Sequence, residues 1–339
     1  MLKRVLSSIL LIFGVFVLNG CIETSEEYKV SFITNVDGET LDDVFVKHGE
    51  KLTIPNISWE YHSLDGWFQN ESYSASAKWL FGSDVVTSDL TLYALWRELD
   101  RPANITKSSK TFLTGTQNEF VIHKFESDIS GPTIFIIGGI HGDERAGWNA
   151  TQKMVDANYN YDYKRGTVYV LPVASRAAFL TPPKRYFGTD LNRTFPGSET
   201  GTETDVLAYT IYHAIKDTNP DCVIDCHESR GTHSETTYLG DQIILHDQKY
   251  NLFVLDIFRD FNKLPMMADK KNFNLDWYPP SGSINREFTD REQVPVFTIE
   301  TNRGTKNNTI YDETQPLQDR IDQQLALIDL ILKRFEVIK

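Results

Sequence analysis

Two histidines and one glutamate in this sequence are of the residue types that hold a catalytic zinc ion. His141 and Glu144 directly follow the apolar residues 134–140, and residues three apart on a turn entering a helix have Cβ atoms about 5–6 Å apart. Alone this pair is a weak signal, because such a spacing also occurs by chance. His227 directly follows a second apolar stretch, residues 223–226. Together the three residues supply nitrogen and oxygen ligands and leave a fourth position to water, so they form a candidate metal set.

These side chains must be positioned by strands. Apolar runs after residue 130 are predicted as buried strands, and stretches with helical periodicity separate them. The runs are residues 132–137, 166–173, 221–226 and 294–299. Their alternation with helices predicts an α/β fold, a mixed, largely parallel sheet with helices on both faces. Open sheets of this kind bind ligands at the carboxyl ends of their strands, where His141 and His227 both lie.

Two of the helices can be predicted in more detail. The first is expected between Thr202 and Lys216, with Thr202 as its N-cap and Asp205 three residues on, the spacing of a capping box. The second is C-terminal and has apolar residues at spacings of 4, 4, 3, 4 and 3, which form one face. These residues are Leu317, Ile321, Leu325, Ile328, Leu332 and Phe335.

Composition limits the classes of protein that the chain can belong to. The 339 residues include 34 Lys and Arg against 47 Asp and Glu, a net charge of −13, and 40% are hydrophobic. This is a globular composition with room for two folded units. We expect no nucleic-acid partner, because the acidic balance repels phosphate and no basic cluster offsets it. With only 3 cysteines, a disulfide scaffold is not expected, and Cys222 and Cys226 are predicted to be packing thiols.

The chain begins with a predicted signal peptide, residues 1–20. Lys3 and Arg4 precede the apolar residues 5–18, which as a helix would span about 21 Å, short of the roughly 30 Å of a bilayer core. The segment ends just before Cys21 and resembles a bacterial lipoprotein signal, with Cys21 as the lipidated residue followed by a short tether that ends at residue 27. This implies an extracytoplasmic protein, lipid-anchored to the bacterial membrane or cell surface. The alternative is an ordinary signal peptide or short anchor in which Cys21 has no role.

A small β-rich module is predicted for residues 28–98. Strand candidates follow one another here with almost no helical periodicity: residues 28–34, 52–55, 64–68 and 90–96. Gly-Trp-Phe at residues 66–68 and the closing Leu-Tyr-Ala-Leu-Trp at 92–96 resemble the internalin-type B repeat of bacterial surface proteins. The resemblance implies a spacer or adhesive module that contacts the cell surface or cell wall. Residues 99–110 are polar, contain a proline and are predicted as a linker to the domain that spans 111–339.

Four motifs occur in the order and spacing of the zinc carboxypeptidase superfamily. They are His-Gly-Asp-Glu at 141–144, Asp-Leu-Asn-Arg at 190–193, Asp-Cys-His at 225–227 and the strand 295–301, which contains Glu300. Residues 105–339 therefore resemble its succinylglutamate desuccinylase/aspartoacylase-like branch. The interval of 83 residues between Glu144 and His227 suits this branch better than the digestive carboxypeptidases. The resemblance implies one zinc ion, bound by His141, Glu144 and His227.

The resemblance also implies roles for two residues in catalysis. Glu300 would take a proton from the zinc-activated water and deliver it to the leaving nitrogen. Arg185 would stabilise the oxyanion that develops in the transition state. The alternative for Glu300 is a structural pair with Arg303. Without the metal ligands, Arg185 would be interpreted together with Lys184 and Arg193 as the surface charge of a solvated loop.

Three residues of the second motif are expected around the substrate. Asn192 and Arg193 would bind its free carboxylate, Arg193 through a two-pronged hydrogen bond. Asp190 would orient the ring of His141. Many members of the family cover the substrate with a tyrosine. Tyr278 lies in the right region for that role and is left outside the predicted site.

Taken together, these features predict a zinc-dependent hydrolase that cleaves an amide bond next to a free carboxylate. A metallocarboxypeptidase acting on peptides outside the cell is favoured, because the predicted compartment argues against a purely metabolic desuccinylase. The first alternative is an N-acyl-amino-acid deacylase of the aspartoacylase type. The second is a catalytically inactive surface binding or adhesion lipoprotein. The complete set of motif residues speaks against this second alternative, because a degenerate site is expected to have lost at least one of them.

Overall fold

The computed structural model describes residues 26–99, 101–156, 161–180, 184–229, 240–268, 270, 272–304 and 315–339. The chain divides into two compact units, Met1–Asp100 and Arg101–Lys339. The predicted signal peptide and Cys21 lie outside the described residues. None of the helices in the described ranges combines the length and the apolar composition that crossing a membrane requires.

The first unit is built on a four-stranded sheet. Its strands are β1 (Glu27–Ile33), β2 (Val44–Lys47), β3 (His62–Phe68) and β4 (Leu90–Glu98). They are ordered β2-β1-β4-β3, with β1 parallel to β4 and the other pairs antiparallel. Val30, Trp67 and Leu92 lie in the core. The β-rich prediction is therefore confirmed, but residues 52–55 form no strand, since Pro55 has no N–H to give to a ladder.

The second unit contains an eight-stranded sheet. Its strands are β5 (Ile105–Phe112), β6 (Phe120–Ser127), β7 (Thr133–Gly138), β8 (Thr167–Leu171), β9 (Cys222–Ser229), β10 (Gln242–Leu245), β11 (Asn274–Asp276) and β12 (Val296–Asn302). The order is β11-β10-β12-β9-β7-β8-β6-β5. The central strands β12, β9, β7 and β8 are mutually parallel, whereas β10 is antiparallel to β12 and β6 is antiparallel to β8. The predicted mixed, largely parallel sheet is confirmed.

Helices pack on both faces of this sheet. They are α1 (Arg145–Val155), α2 (Arg176–Phe179), α3 (Glu203–Lys216), α4 (Asn251–Phe261), α5 (Ile284–Glu292) and α6 (Leu317–Arg334). Ile134 and Ile136 of β7 share a core with residues of α1, α4 and α6, and Phe135 and Ile137 share one with residues of α3 and α5. A strand that is covered by helices on both faces is apolar at every position, which explains the continuous apolar run of β7 in the sequence. The predicted capping box of α3 is present.

Part of the predicted linker, residues 99–110, belongs to the sheet. Strand β5 begins at Ile105 and pairs along its whole length with β6 at the sheet edge. Residues 106–111 of this strand are all exposed, so their sequence carries the polar character of an edge strand rather than an apolar signal. The second unit therefore begins at Arg101 and not at residue 111, the start that was predicted from the sequence.

Candidate metal centre and active site

Two neighbouring parallel strands bring the predicted metal ligands together. The turn after β7 carries His141 and Glu144 into α1, and His227 lies in β9, the neighbour of β7. Gly147 in the first turn of α1 allows this helix to lie against β9, because a Cβ at this position would come within 2.5 Å of the carbonyl oxygen of Cys226. The close approach places the helix start beside the strand residue that precedes His227.

The three predicted ligands converge on one point. His141 Nδ1 lies 2.7 Å from Glu144 Oε1, and His227 Nδ1 lies 2.7 Å from Glu144 Oε2. One ligand atom from each residue lies within 4.8 Å of the other two, and none of the three residues is more than 2% exposed. Two imidazole nitrogens and a carboxylate oxygen are the donor set of a catalytic zinc site. The residues therefore fit a single zinc ion, as predicted.

A carboxylate lies against the outer nitrogen of each histidine. His141 Nε2 is 3.0 Å from Asp190 Oδ1, and His227 Nε2 is 3.1 Å from Asp225 Oδ1. Such contacts fix the orientation of a metal-binding imidazole. The sequence predicted the contact of Asp190. It gave no role to Asp225, although residues two apart on a strand point to the same face, and this spacing was a usable signal for a partner of His227.

The electrostatics of the centre keep Glu144 ionised. Burial raises the pKa of Glu144, but the positive charges of His141, His227 and Arg185 outweigh it and hold this pKa well below its usual range. Conversely, burial lowers the pKa of His227, and the charges of Asp225 and Glu144 outweigh burial and raise it. A carboxylate must be ionised to bind a metal, so the surroundings of Glu144 favour its role as a ligand.

Glu300 lies beside the metal ligands, near the carboxyl end of β12. It is directly opposite His227 in the register of β12 and β9, and it is buried. Its Oε2 has no hydrogen-bond partner within the described part of the chain. Burial raises the pKa of Glu300 to about 7, which suits a group that takes and returns a proton near neutral pH. The alternative of a structural pair is not what is observed, because Arg303 Nη1 lies 3.2 Å from Asp143 Oδ2.

Arg185 and Asn192 also lie at this centre, and Arg193 is the neighbour of Asn192 in the chain. Arg185 Nη1 donates to Glu144 Oε1 over 2.7 Å, although its side chain remains 43% exposed. Asn192 Nδ2 is 3.4 Å from His227 Nε2, and its Oδ1 accepts a hydrogen bond from the N–H of residue 284. Arg193 is exposed and donates to the carbonyl oxygen of Asn192 over 2.7 Å. The structure thus places the cationic side chain of Arg185 against a metal ligand, so Arg185 is not merely surface charge.

Two buried polar residues of α6 hold the strand that carries His227, and sequence analysis missed both. Arg320 pairs with Glu228, whose Oε2 also accepts from the N–H of Ala146 in the first turn of α1 over 2.9 Å. Gln324 Nε2 donates to the carbonyl oxygen of His227 over 2.7 Å. Apolar periodicity located α6 but gave no indication that polar residues on it are buried.

The side chains of the remaining candidates make no described contact with the metal ligands. Tyr278 is 81% exposed, and its N–H donates to Asp276 Oδ1 over 3.3 Å. The loop that follows Tyr278 does approach the second motif, because a Cβ at Gly282 would come within 2.3 Å of the carbonyl oxygen of Arg193. Cys222 and Cys226 are free, buried thiols in the core shared with α1 and α6, which confirms their role in packing.

Comparison with known families agrees with this geometry. The pattern that defines the succinylglutamate desuccinylase/aspartoacylase catalytic domain matches residues 130–300. The chain belongs to this family. Its set of two histidines and one glutamate is intact and is typical of a single zinc site in this family. A second pattern, that of the Listeria-Bacteroides repeat domain, matches residues 28–95 and confirms the predicted repeat module.

Curated relatives match only part of this family member. An N-alpha-acetyl-L-2,4-diaminobutyric acid deacetylase from Halomonas elongata is 33% identical over 106 residues, which is 30% of this chain and 30% of that protein. A protein from Evansella cellulosilytica described as a Gly-rich membrane protein is 35% identical over 108 residues, or 32% of this chain and 12% of that protein. The chain thus spans less than a third of the length of each of these relatives.

Solved structures share the fold of the second unit. The product-bound cell shape determinant protein Csd4 from Helicobacter pylori superposes with a TM-score of 0.52 at 17% identity, over 69% of this chain and 56% of that one. An aspartoacylase family protein from Mesorhizobium loti gives a TM-score of 0.51 at 17% identity, over 70% of this chain and 72% of that one. At these identities the likeness shows the fold, and the chemistry must be argued from the residues of this chain.

Proposed function

We propose that this protein is a metallocarboxypeptidase that cleaves the amide bond next to the free carboxylate of a peptide. The observation that carries the proposal is the buried Glu300, which lies opposite the metal ligand His227 and has an oxygen without a partner among the described residues. A general base must be held beside the reacting water with a free lone pair, and Glu300 meets this requirement.

The residues of the site divide the reaction between them. When bound by His141, Glu144 and His227, zinc supplies a Lewis acid that polarises a carbonyl group and lowers the pKa of water. Glu300 accepts a proton from the attacking water while the oxygen of that water forms a bond to the carbonyl carbon of the substrate. It then donates this proton to the leaving nitrogen as the C–N bond breaks, so that one carboxylic acid and one amine are formed.

The cationic residues act on the two negative charges of the reaction. Arg185 contacts Glu144 through Nη1, and its remaining N–H groups are available to the oxyanion that develops on the carbonyl oxygen. The exposed guanidinium of Arg193 and the amide of Asn192 are suited to the free carboxylate of the substrate. Asp190 and Asp225 are positioning residues, which act through the imidazole rings that they contact.

The compartment predicted from the sequence and the similarity to a solved structure both favour a peptide substrate. A lipid anchor at Cys21 would hold the protein outside the cytoplasm, where the repeat module would contact the cell surface or wall and where peptides are available. The second unit also shares its fold with a cell shape determinant protein that has been solved with a tripeptide bound. The second candidate is an N-acyl-amino-acid deacylase, which the similarity to the Halomonas elongata deacetylase favours.

The test is hydrolysis by the purified, zinc-loaded protein. A library of peptides and a set of N-acyl amino acids are incubated with the protein, with and without a chelator, and the products are identified by mass spectrometry. Peptides shortened by one C-terminal residue in a chelator-sensitive manner support the carboxypeptidase, and release of free amino acids from N-acyl compounds alone supports the deacylase. The absence of any metal-dependent product would overturn both and favour an inactive binding lipoprotein.

A further inference from the structure

A row of side chains crosses three strands at the active-site end of the sheet. His227 of β9 lies opposite Glu300 of β12, and Glu300 lies opposite Gln242 of β10. Residues directly opposite each other point to the same face of a sheet, and in an antiparallel pair their Cβ atoms are about 4.5–5.5 Å apart. Glu300 is therefore flanked by a metal ligand on one side and by the amide of Gln242 on the other.

The side-chain amide of Gln242 is buried and makes no hydrogen bond within the described part of the chain. It is 0% exposed, and neither its Oε1 nor its Nε2 has a hydrogen-bond partner among the described residues. Burying an amide without partners costs roughly 1–3 kcal/mol for each unsatisfied group. A residue that destabilises the fold and lies next to the proposed general base is a candidate for binding substrate.

The polar atoms around Gln242 are mostly acceptors. Asn285 at the start of α5 donates through Nδ2 to the carbonyl oxygen of Ile244 and to Thr298 Oγ1. Ile244 and Thr298 lie opposite each other in β10 and β12, two residues along from the pair of Gln242 and Glu300 and on the same face. The Oδ1 of Asn285 has no partner among the described residues. Two such oxygens, on Gln242 and Asn285, therefore stand against one donor, Gln242 Nε2, and the carboxylate of Glu300 adds negative charge beside Gln242. A ligand group that donates several hydrogen bonds matches this excess, and a protonated amine is such a group.

The charges near Gln242 also favour a positively charged ligand group. Arg185 places positive charge against the metal ligand Glu144, whereas no hydrogen bond or ion pair among the described residues brings a cation to Gln242, whose neighbour in the sheet is the carboxylate of Glu300. In the proposed reaction the leaving nitrogen receives its proton from Glu300, so the residue released by cleavage is held next to Glu300, the neighbour of Gln242 in the sheet.

We propose that Gln242, together with Asn285, is a specificity-determining residue that accepts hydrogen bonds from a side-chain amino group of the residue released by cleavage. This proposal rests on the proposed hydrolase function and names the class of residue released. The expected substrates end in, or are acylated on, an amino acid with a protonated amine in its side chain.

Binding of the product amino acid tests the proposal independently of turnover. L-Lysine and L-norleucine differ only in the terminal amino group, and their dissociation constants for the zinc-loaded protein are measured by calorimetry. We expect lysine to bind about tenfold more tightly, the effect of one charge-assisted hydrogen bond. The variant Gln242→Met should bring the ratio close to 1. Equal binding of the two amino acids, no binding of either, or an unchanged ratio in Gln242→Met would overturn the proposal.

Two further variants separate recognition from folding. Gln323→Met replaces another buried glutamine, which lies on α6 against Met267, and it should keep the lysine preference. Gln242→Glu retains an acceptor and should also keep the preference for lysine. Loss of this preference in Gln323→Met or in Gln242→Glu would contradict the proposal. The preference for lysine is then measured as the ratio of the kcat/KM values for acetyl-alanyl-lysine and acetyl-alanyl-norleucine. Cleavage without preference contradicts this inference alone, whereas lysine-selective binding without cleavage of any substrate contradicts the proposed function alone.

Discussion

Among the described residues of the repeat module, Thr34 is the only buried polar side chain, whereas the second unit, Arg101–Lys339, here called the catalytic unit, buries histidines, carboxylates and arginines around one sheet. The module is stabilised by an apolar core around Trp67, and its ion pairs, such as Lys29 with Asp43, are exposed. Burying a charge costs free energy unless it is paired or binds a ligand. The comparison indicates that the buried charges of the catalytic unit are retained for function.

The largest effect is expected for Glu300→Gln. The amide cannot accept the proton of the attacking water, so kcat should fall by about 10²–10⁴-fold. Zinc content, measured by atomic absorption, should stay at one ion per chain, because Glu300 is not among the three converging ligands. Equal loss of zinc and activity would contradict the role of general base.

Removal of Arg320 should destabilise the fold by about 3–5 kcal/mol, because Glu228 would remain buried without its partner. Burial raises the pKa of Glu228 to about 7, although Arg320 lowers it. The unfolded chain loses this proton near the ordinary pKa of glutamate, so the contribution of Glu228 to stability falls as the pH rises from about 4.5 through 7.

The variant Arg320→Met should therefore lose more stability at pH 8.5, where Glu228 is charged, than at pH 5, where it is neutral. Urea unfolding at both pH values measures the difference. The same loss at both would show that Arg320 acts through packing rather than through its charge.

A smaller effect is expected for Asp225→Asn, because the residue contacts a metal ligand rather than the metal. Loss of such an orienting carboxylate lowers metal affinity by about 10–100-fold. Competition with a chromogenic chelator measures this affinity. Asp241→Asn is the matched control, since Asp241 accepts a hydrogen bond from the N–H of Asn302 and is not among the contacts of the metal ligands. A comparable loss in the control would remove Asp225 from the metal centre.

The smallest effect is expected in the repeat module. Lys29→Met breaks the exposed pair with Asp43 and should leave the midpoint of thermal unfolding unchanged, because solvent screens such a pair. Differential scanning calorimetry of the two proteins makes the measurement. A clear decrease in the midpoint would show that the module also depends on its charges, and the contrast between the two units would then fail.

The metal centre could be predicted from the sequence because its ligands lie next to apolar strands that are recognisable locally. His141 and His227 each follow an apolar strand, and neighbouring parallel strands bring their carboxyl ends together. Two kinds of residue escaped prediction. Edge strand β5 has no apolar pattern, and the pairing that buries Arg320 joins residues 92 positions apart in the chain. Gln242 was missed for the same reason, since only the register of β10 with β12 places it beside Glu300.

The hydrogen bond from Gln324 to the carbonyl oxygen of His227 joins the C-terminal helix to the backbone of a metal ligand. A small displacement of that helix would therefore shift the imidazole of His227 even if the sheet itself kept its hydrogen bonds. Retention of zinc is thus a sensitive measure of how tightly the last helix is docked, and metal release on heating should precede the melting of secondary structure.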